Sequence, residues 1–355
     1  MILLDFSSTI HRATATAVKN INPHKENGKY ITKEFIHYAI HRIFDELLDL
    51  SDNNYKNYDN LVICLDDHTK KYWRKELFGD YKKHRKFSES EINFDEVYKH
   101  IDLMYKVIDK YTSWKCFSVP GLEADDLVAI LCKRYSPFED TLIVSPDKDM
   151  KQLHKFGKVK QYSHLTNKFI EIGDDSEWLL EHICIGDASD GVPRIIDYTE
   201  FKPEFKEFLI SKNLNYNEQD FYDLDYNYKI KLISEFAEKE PGMTLLIDAY
   251  TKPRFGFATL KKQLKKQPLS EFLNSNPIYK KNYEMNKKLV IAENIPAKLE
   301  ADCIRRFNES PTKFNMDELK KYLNFYNCRN IITRFENISH KISKKVNLTV
   351  DNCGF

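Results

Sequence analysis

Apolar residues in the first half of the chain follow two patterns. Short unbroken runs, Ile2–Leu4, Leu61–Leu65, Trp114–Val119 and Thr141–Ser145, have the length and density of buried strands. Between them the spacing turns helical. Phe35, Ile36, Ala39, Ile40, Ile43, Phe44 and Leu47 predict a helix over 33–50 with Thr32 as its N-cap, and Val97, Ile101, Met104, Tyr105 and Ile108 predict one over 92–111. Another is expected from Glu123 to Tyr135, after Pro120-Gly121. This alternation predicts an α/β fold, a central, mostly parallel sheet flanked by helices. From about Ser176 the pattern is mainly helical, with helices expected near 229–239, 243–250, 278–292, 297–307 and 316–327. Residues 198–226, rich in Asp, Asn, Tyr and Phe with poor periodicity, read as an irregular insertion. The expected division is an α/β core over 1–185, a mainly helical part over 186–340 and a poorly ordered tail over 341–355.

Composition narrows the function classes. The 355 residues are 42% hydrophobic, enough for a large core. Lys and Arg (55) nearly cancel Asp and Glu (54), so the net charge of +1 says nothing about partners; the segregation of charge does. Ten glycines argue against Gly-rich nucleotide-binding loops. No apolar run approaches the ~18–20 residues that span a bilayer. The N-terminus enters the first strand at once, so neither a secretory leader nor an arm ahead of that strand is expected. The seven cysteines are scattered without a C-x-x-C pair, which reads as reduced thiols in a cytoplasmic protein and disfavours zinc.

The acids fall at particular places. Three predicted strands run into an aspartate, at Asp5, Asp66 and Asp147. Glu123-Ala124-Asp125-Asp126 follows a fourth strand and opens a helix, and Asp149 lies just past Asp147. Asp187 and Asp190, three apart, are placed to share a helical face. In an open parallel sheet the carboxyl ends of the strands form the ligand crevice. Any one such Asp is often only a cap or turn residue. Converging carboxylates, however, need a compensating cation, and no matching set of Arg or Lys stands beside these strand ends in the sequence. The oxygen-only donor set suits Mg²⁺, with Mn²⁺ as a substitute; two such ions serve phosphodiester hydrolysis.

Residues 69–86 combine eight Lys or Arg with Tyr72, Trp73, Phe78 and Tyr81. Cations for phosphates and aromatic faces for bases make this a candidate nucleic-acid contact, with Lys70, Lys71, Tyr72, Arg74, Tyr81, Lys82, Lys83 and Arg85 as contacts. The bland reading is a solvated helix whose aromatics, Trp73 and Phe78 first, pack on the sheet. A second basic stretch, Lys252–Lys266, offers Lys261 and Lys262 for duplex backbone, with a merely solvated helix as its alternative.

The ordered set resembles the 5′ nuclease (flap endonuclease) superfamily. It comprises two strand-end aspartates, Tyr81-Lys82-x-x-Arg85, Glu123-Ala124-Asp125-Asp126, Ser145-Pro146-Asp147-Lys148-Asp149 and Gly186-Asp187-x-x-Asp190-Gly191-Val192. The likeness runs over roughly 1–195 and looks strongest to the ribonuclease H branch of the T-even phages. It implies a helical arch, here at about 68–111. It also implies a first metal among Asp5, Asp66, Glu123, Asp125 and Asp147, and a second around Asp149, Asp187 and Asp190, with Asp126 a further member of the metal shell. Lys82 and Arg85 match arch residues that steer the scissile phosphate, so they join Asp125 and Asp147 as catalytic candidates. One departure is Arg194-Ile195-Ile196-Asp197, which stands where the family continues into a Gly-rich hairpin.

The expected function is Mg²⁺-dependent 5′-to-3′ exonuclease and flap endonuclease action on forked or flapped DNA and RNA–DNA hybrids, as in RNA primer removal during replication. A monomer is expected, with a single-strand-binding protein or sliding clamp as plausible partners and no membrane. The alternatives are a PIN-type ribonuclease, which usually lacks the arch and the later helices, and a haloacid-dehalogenase-like phosphatase, whose second Asp is missing after Asp5. A binding module with a degenerate site is disfavoured, because every expected acid is present.

Overall fold

The computed structural model describes residues 1–21, 25–26, 28–30, 32–52, 60–83, 91–171, 175–195, 203–214, 221, 224–239, 256–309 and 315–345. The chain divides into two compact units. The first comprises Met1–Gly79, Lys83–Asp175 and Ala292–Phe355, and the second Asp80–Lys82 and Ser176–Ile291.

The first unit is built on β1 (Ile2–Asp5) and α1 (Phe6–Ile21), the small hairpin β2 (Lys25–Glu26) and β3 (Lys29–Tyr30), then α2 (Lys33–Asp52) and β4 (Leu61–Cys64). The short α3 (Trp73–Leu77) and the long α4 (Phe94–Tyr111) lead to β5 (Lys115–Phe117), α5 (Ala124–Tyr135) and β6 (Thr141–Val144). A 3-10 helix, Lys148–Phe156, precedes β7 (Val159–Ser163) and β8 (Lys168–Ile170). The main sheet has six strands in the order β5-β4-β1-β6-β7-β8, parallel except for β8 against β7. Strand periodicity sends alternate residues to opposite faces. Leu3, Val62 and Ile143 join the cluster under α5, while Ile2, Leu4, Ile63 and Val144 join the cluster under α1, α2 and α4. Thr32 caps α2, its hydroxyl accepting from the Phe35 N–H at 3.3 Å. The β2–β3 hairpin was not expected, although Asn27-Gly28 carries its turn signal; Gly28 has φ +76°.

The second unit holds α6 (Asp175–Ile185, from its second residue), α7 (Pro203–Ser211), α8 (Tyr226–Lys239), α9 (Phe257–Leu264), α10 (Leu269–Asn274) and α11 (Pro277–Val290). The chain then returns to the first unit with α12 (Ala297–Glu309), α13 (Met316–Phe325) and α14 (Arg329–Lys345).

Four expectations about organisation need correction. The last helices do not belong to a separate part over 186–340: Cys303 of α12 is buried in the cluster under α5, and Leu319, Leu323, Ile331 and Phe335 of α13 and α14 lie in the cluster under α2 and α4. The span 68–111 is not one arch, because α4 buries Val97, Ile101, Met104 and Ile108 in the core. Residues 198–226 contain α7, whose Phe205, Phe208 and Leu209 form a small core with Phe221, Ile233 and Phe236. The tail starts later than 341, since α14 runs to Lys345. The helix expected at 243–250 lies outside the described residues. Among them no helix is long and apolar enough to cross a membrane, and the six described cysteines are buried and unbridged.

Candidate metal and nucleic-acid site

In the first unit the chain brings acids from four segments to the carboxyl ends of the strands. Asp5 closes β1, Asp66 lies just past β4, Asp147 follows β6, and Glu123, Asp125 and Asp126 open α5. Each has a local reason for its place. Asp66 accepts from the Ala124 N–H at 2.8 Å and from the Ser7 hydroxyl at 2.6 Å, so the positive end of α5 and the start of α1 fix it. Ser145 donates to Asp5 at 3.1 Å and accepts from the Asp147 N–H at 3.2 Å, tying the first and third strand ends together. Asp147 caps the following 3-10 helix through the Asp149 N–H at 2.9 Å. The Gln161 amide holds the carbonyls of Ser145 and Asp147 at 3.0 and 2.6 Å.

The electrostatics show convergence. The Asp5 carboxyl is pushed up to about 7, by burial first, then by the charges of Asp66 and Asp125, with Asp147 adding a further push against the Ser145 hydrogen bond. Burial, followed by Asp66, Glu123 and Asp125, also raises the Tyr72 phenol. Ligand oxygens of Glu123, Asp125 and Asp126 lie within 4.8 Å of one another. A divalent cation fits here: the donors are carboxylate oxygens, and their mutual repulsion is what such an ion relieves. Asp149 is half-buried in the first turn of the 3-10 helix.

Arg74 corrects two expectations at once. It is 5% exposed, so it is not a nucleic-acid contact. It is also a cation beside the acids that the sequence did not reveal, with Nη1 3.0 Å from Glu123 Oε2 and Nη2 2.8 Å from Asp126 Oδ1. Tyr72 and Tyr81 are likewise buried, at 7% and 1%, and offer no open ring face to a base. Trp73 packs inward and donates its Nε1–H to Asp126 at 3.0 Å. A further buried acid was missed. Burial alone would raise the Asp67 pKa, but hydrogen bonds from the Thr69 hydroxyl and the Gly121 and Thr69 N–H groups hold it below its usual value. Lys70, Lys71 and Lys83 are exposed, as a phosphate contact requires. Arg85 lies outside the described residues, as do Lys252 and Arg254.

In the second unit Asp187 and Asp190 do not share a helix. They sit in a turn closed by paired backbone bonds between Asp187 and Val192, at 3.0 and 2.8 Å, with Gly186 and Gly191 at φ +75° and +73°. A Cβ on Gly186 would collide with the Val192 backbone oxygen. Asp190 accepts from the Tyr81 hydroxyl at 2.8 Å and lies 3.5 Å from the Lys82 ammonium. Lys82 itself has φ +54°, and its N–H donates to the Asp190 carbonyl. Lys261 on α9 pairs with Glu177, and Lys262 is exposed.

Residues 1–179 match the family described as the 5′-3′ exonuclease, N-terminal resolvase-like domain. The chain belongs to this family. Similar proteins include a ribonuclease H of Enterobacteria phage T4, 33% identical over 151 residues (41% of this chain, 49% of that protein). A 5′-3′ exonuclease of Buchnera aphidicola is 31% identical over 160 residues (42% of this chain, 54% of that one). The chain thus spans about half the length of the curated relatives it matches. Among solved structures, a T5 5′-exonuclease with bound zinc aligns at TM-score 0.46 and 14% identity, over 87% of this chain and 98% of that one. A bacteriophage T5 flap endonuclease in a pseudo-enzyme-product complex with DNA and metal ions aligns at TM-score 0.43 and 14% identity, over 94% and 98%. In this 5′-3′ exonuclease family chain the matched span takes in every acid of the first unit's cluster.

Proposed function

We propose that this chain hydrolyses phosphodiesters at the 5′ ends of duplex DNA and RNA–DNA hybrids, as a 5′-to-3′ exonuclease and flap endonuclease that removes RNA primers. The observation that carries the reading is the oxygen-only cluster at the strand ends, in which Asp5 is pushed up to about 7 by burial and by Asp66 and Asp125. The names of the phage T4 and Buchnera relatives, a ribonuclease H and a 5′-3′ exonuclease, support the substrate class.

Asp5, Asp66, Glu123, Asp125 and Asp147 would hold the first Mg²⁺. For a second ion the support is the motif resemblance at Asp149, Asp187 and Asp190. When bound, the ions supply positive charge for the phosphate and lower the pKa of the attacking water. The chain's own part is positioning. Ser7 and the α5 N-terminus fix Asp66, Ser145 couples Asp5 to Asp147, and exposed Lys70, Lys71 and Lys83 provide charge for backbone phosphates. Lys82 and Arg85 are assigned to the scissile phosphate on their motif spacing. A cytoplasmic monomer acting with replication proteins fits this reading.

The test uses a 5′-labelled flap and a 5′-labelled RNA–DNA hybrid with and without Mg²⁺. Mg²⁺-dependent release of short 5′ products is expected; absence of cleavage on both substrates overturns the proposal. Lys82→Ala is expected to slow cleavage while changing duplex affinity less; equal losses of both would remove its assigned role.

A further inference from the structure

The contacts of Arg74 leave little room for a substrate role. Its guanidinium forks between Glu123 and Asp126, two acids that flank the first turn of α5. Both oxygens of Asp126 meet the chain: Oδ1 is ion-paired with Arg74 Nη2 at 2.8 Å, and Oδ2 accepts from the Trp73 indole N–H at 3.0 Å and the Glu123 N–H at 3.1 Å. The same guanidinium lies 4.7 Å from the Trp73 ring centre, so one planar cation is held by two carboxylates and an indole. The backbone of α3 is tied down as well. The Trp73 N–H donates to the Gly121 carbonyl at 3.0 Å, and the Gly121 N–H donates to Asp67 at 2.9 Å. Gly121 stands at φ +87°, a conformation an L side chain rarely adopts. The clamp and the loop that carries Glu123 are thus one rigid piece.

We propose that Trp73 and Arg74 form a clamp that positions Glu123 for the divalent cation and commits Asp126 to the protein rather than to the ion. The proposal rests on the metal-dependent reading above. Arg74 is then a positioning residue. It neutralises part of a buried acidic group without metal, and it fixes the direction of the Glu123 carboxylate through one Nη1 hydrogen bond while Nη2 meets Asp126, a forked contact to two residues that a lysine cannot copy. Outer groups of this kind typically change metal affinity or activity by about 10–100-fold when replaced.

The decisive variant is Arg74→Lys, which keeps the charge and removes the fork. A phosphate contact tolerates that exchange; a clamp does not. Three measurements separate the cases: Mn²⁺ binding by calorimetry, duplex affinity in Ca²⁺ across a salt series, and kcat against KM. The expected result is Mn²⁺ affinity weakened by about 10-fold, kcat reduced, and KM and the salt dependence of DNA binding unchanged. Should Arg74→Lys fail to fold, Trp73→Phe, which removes one bond to Asp126, is expected to weaken Mn²⁺ binding in the same direction by less. Wild-type Mn²⁺ affinity in the folded variants, or a loss confined to DNA binding, overturns the clamp and leaves the nuclease reading standing. A wild-type protein that binds no Mn²⁺ overturns both.

Discussion

Glu123 and Asp126 face a guanidinium and an indole, whereas Asp5 faces Asp66 and Asp125. Both groups are carboxylates gathered near the same strand ends, and they meet the same Coulomb problem in opposite ways. The first carries part of its counter-charge in the chain, one guanidinium shared by two carboxylates and in place on folding. For Asp5, Asp66 and Asp125 the described residues supply hydroxyls and N–H groups but no ion pair. The contrast separates Asp126, held wholly by the chain, from Asp5, Asp66 and Asp125, which await a cation, with Glu123 held by Arg74 at the border of the two. A buried pair with its own Arg is structural material; a repelling set without one is unfavourable until an ion arrives.

The largest effect that tests this contrast is on stability against pH. Asp5 has its pKa raised from 3.8 to about 7, so the folded chain keeps a proton that the unfolded chain has lost. Stability from this group is therefore full below about pH 4 and is lost as pH rises to about 7, with an upper limit on the order of 4 kcal/mol. Metal-free protein is expected to melt at a higher temperature at pH 5 than at pH 8, and Mg²⁺ should remove most of the difference. Asp5→Asn should flatten the metal-free profile while reducing cleavage by more than about 100-fold, beyond the usual cost of a supporting residue. Thermal melts at both pH values, with and without Mg²⁺, check this; a flat profile in the wild-type chain breaks the contrast.

The opposite sign is expected on the paired side. Asp126→Asn removes a charge from the buried fork and leaves Arg74 with one carboxylate. The expected loss is about 3 kcal/mol, the lower end for breaking a buried pair, and urea denaturation should show it equally with and without Mg²⁺. If Mg²⁺ restores the lost stability, Asp126 belongs with Asp5 and the division falls.

Much of this was legible in the residues, and the failures have physical reasons. Apolar runs ending in Asp5, Asp66 and Asp147 gave away the sheet and its acidic edge, because strand periodicity and the strand-end crevice are local rules. The inward turn of Trp73 stood only as the alternative reading, and that of Arg74 was not legible. Helix α3 is only Trp73–Leu77, too short to display a periodic face, and the surrounding lysines made the whole stretch look solvated. The helical spacing over 316–327 announced α13 but not the elements it packs against, and α14 was not predicted, so their return to the first unit was invisible. The i, i+3 pair Asp187 and Asp190 fits a helix or a turn equally; Gly186 and Gly191 on either side were the signal for the turn.

Asp190 offers the smallest and most local test, since its partners come from the chain's own basic segment. Its carboxylate accepts from Tyr81, a hydroxyl on a ring that is 1% exposed, and meets the Lys82 ammonium at a looser 3.5 Å. A hydrogen bond to a charged acceptor from a buried donor should outweigh a lysine pair that retains some solvent. By urea denaturation of the metal-free chain, Tyr81→Phe is expected to cost about 1.5 kcal/mol, and Lys82→Ala less, because its pair, though largely buried, is the longer contact at 3.5 Å. The reverse order would mean that Lys82 is the main tie on Asp190. A lysine held that firmly would have to give up its carboxylate before meeting a phosphate, which is a different starting state from the loosely paired one seen here.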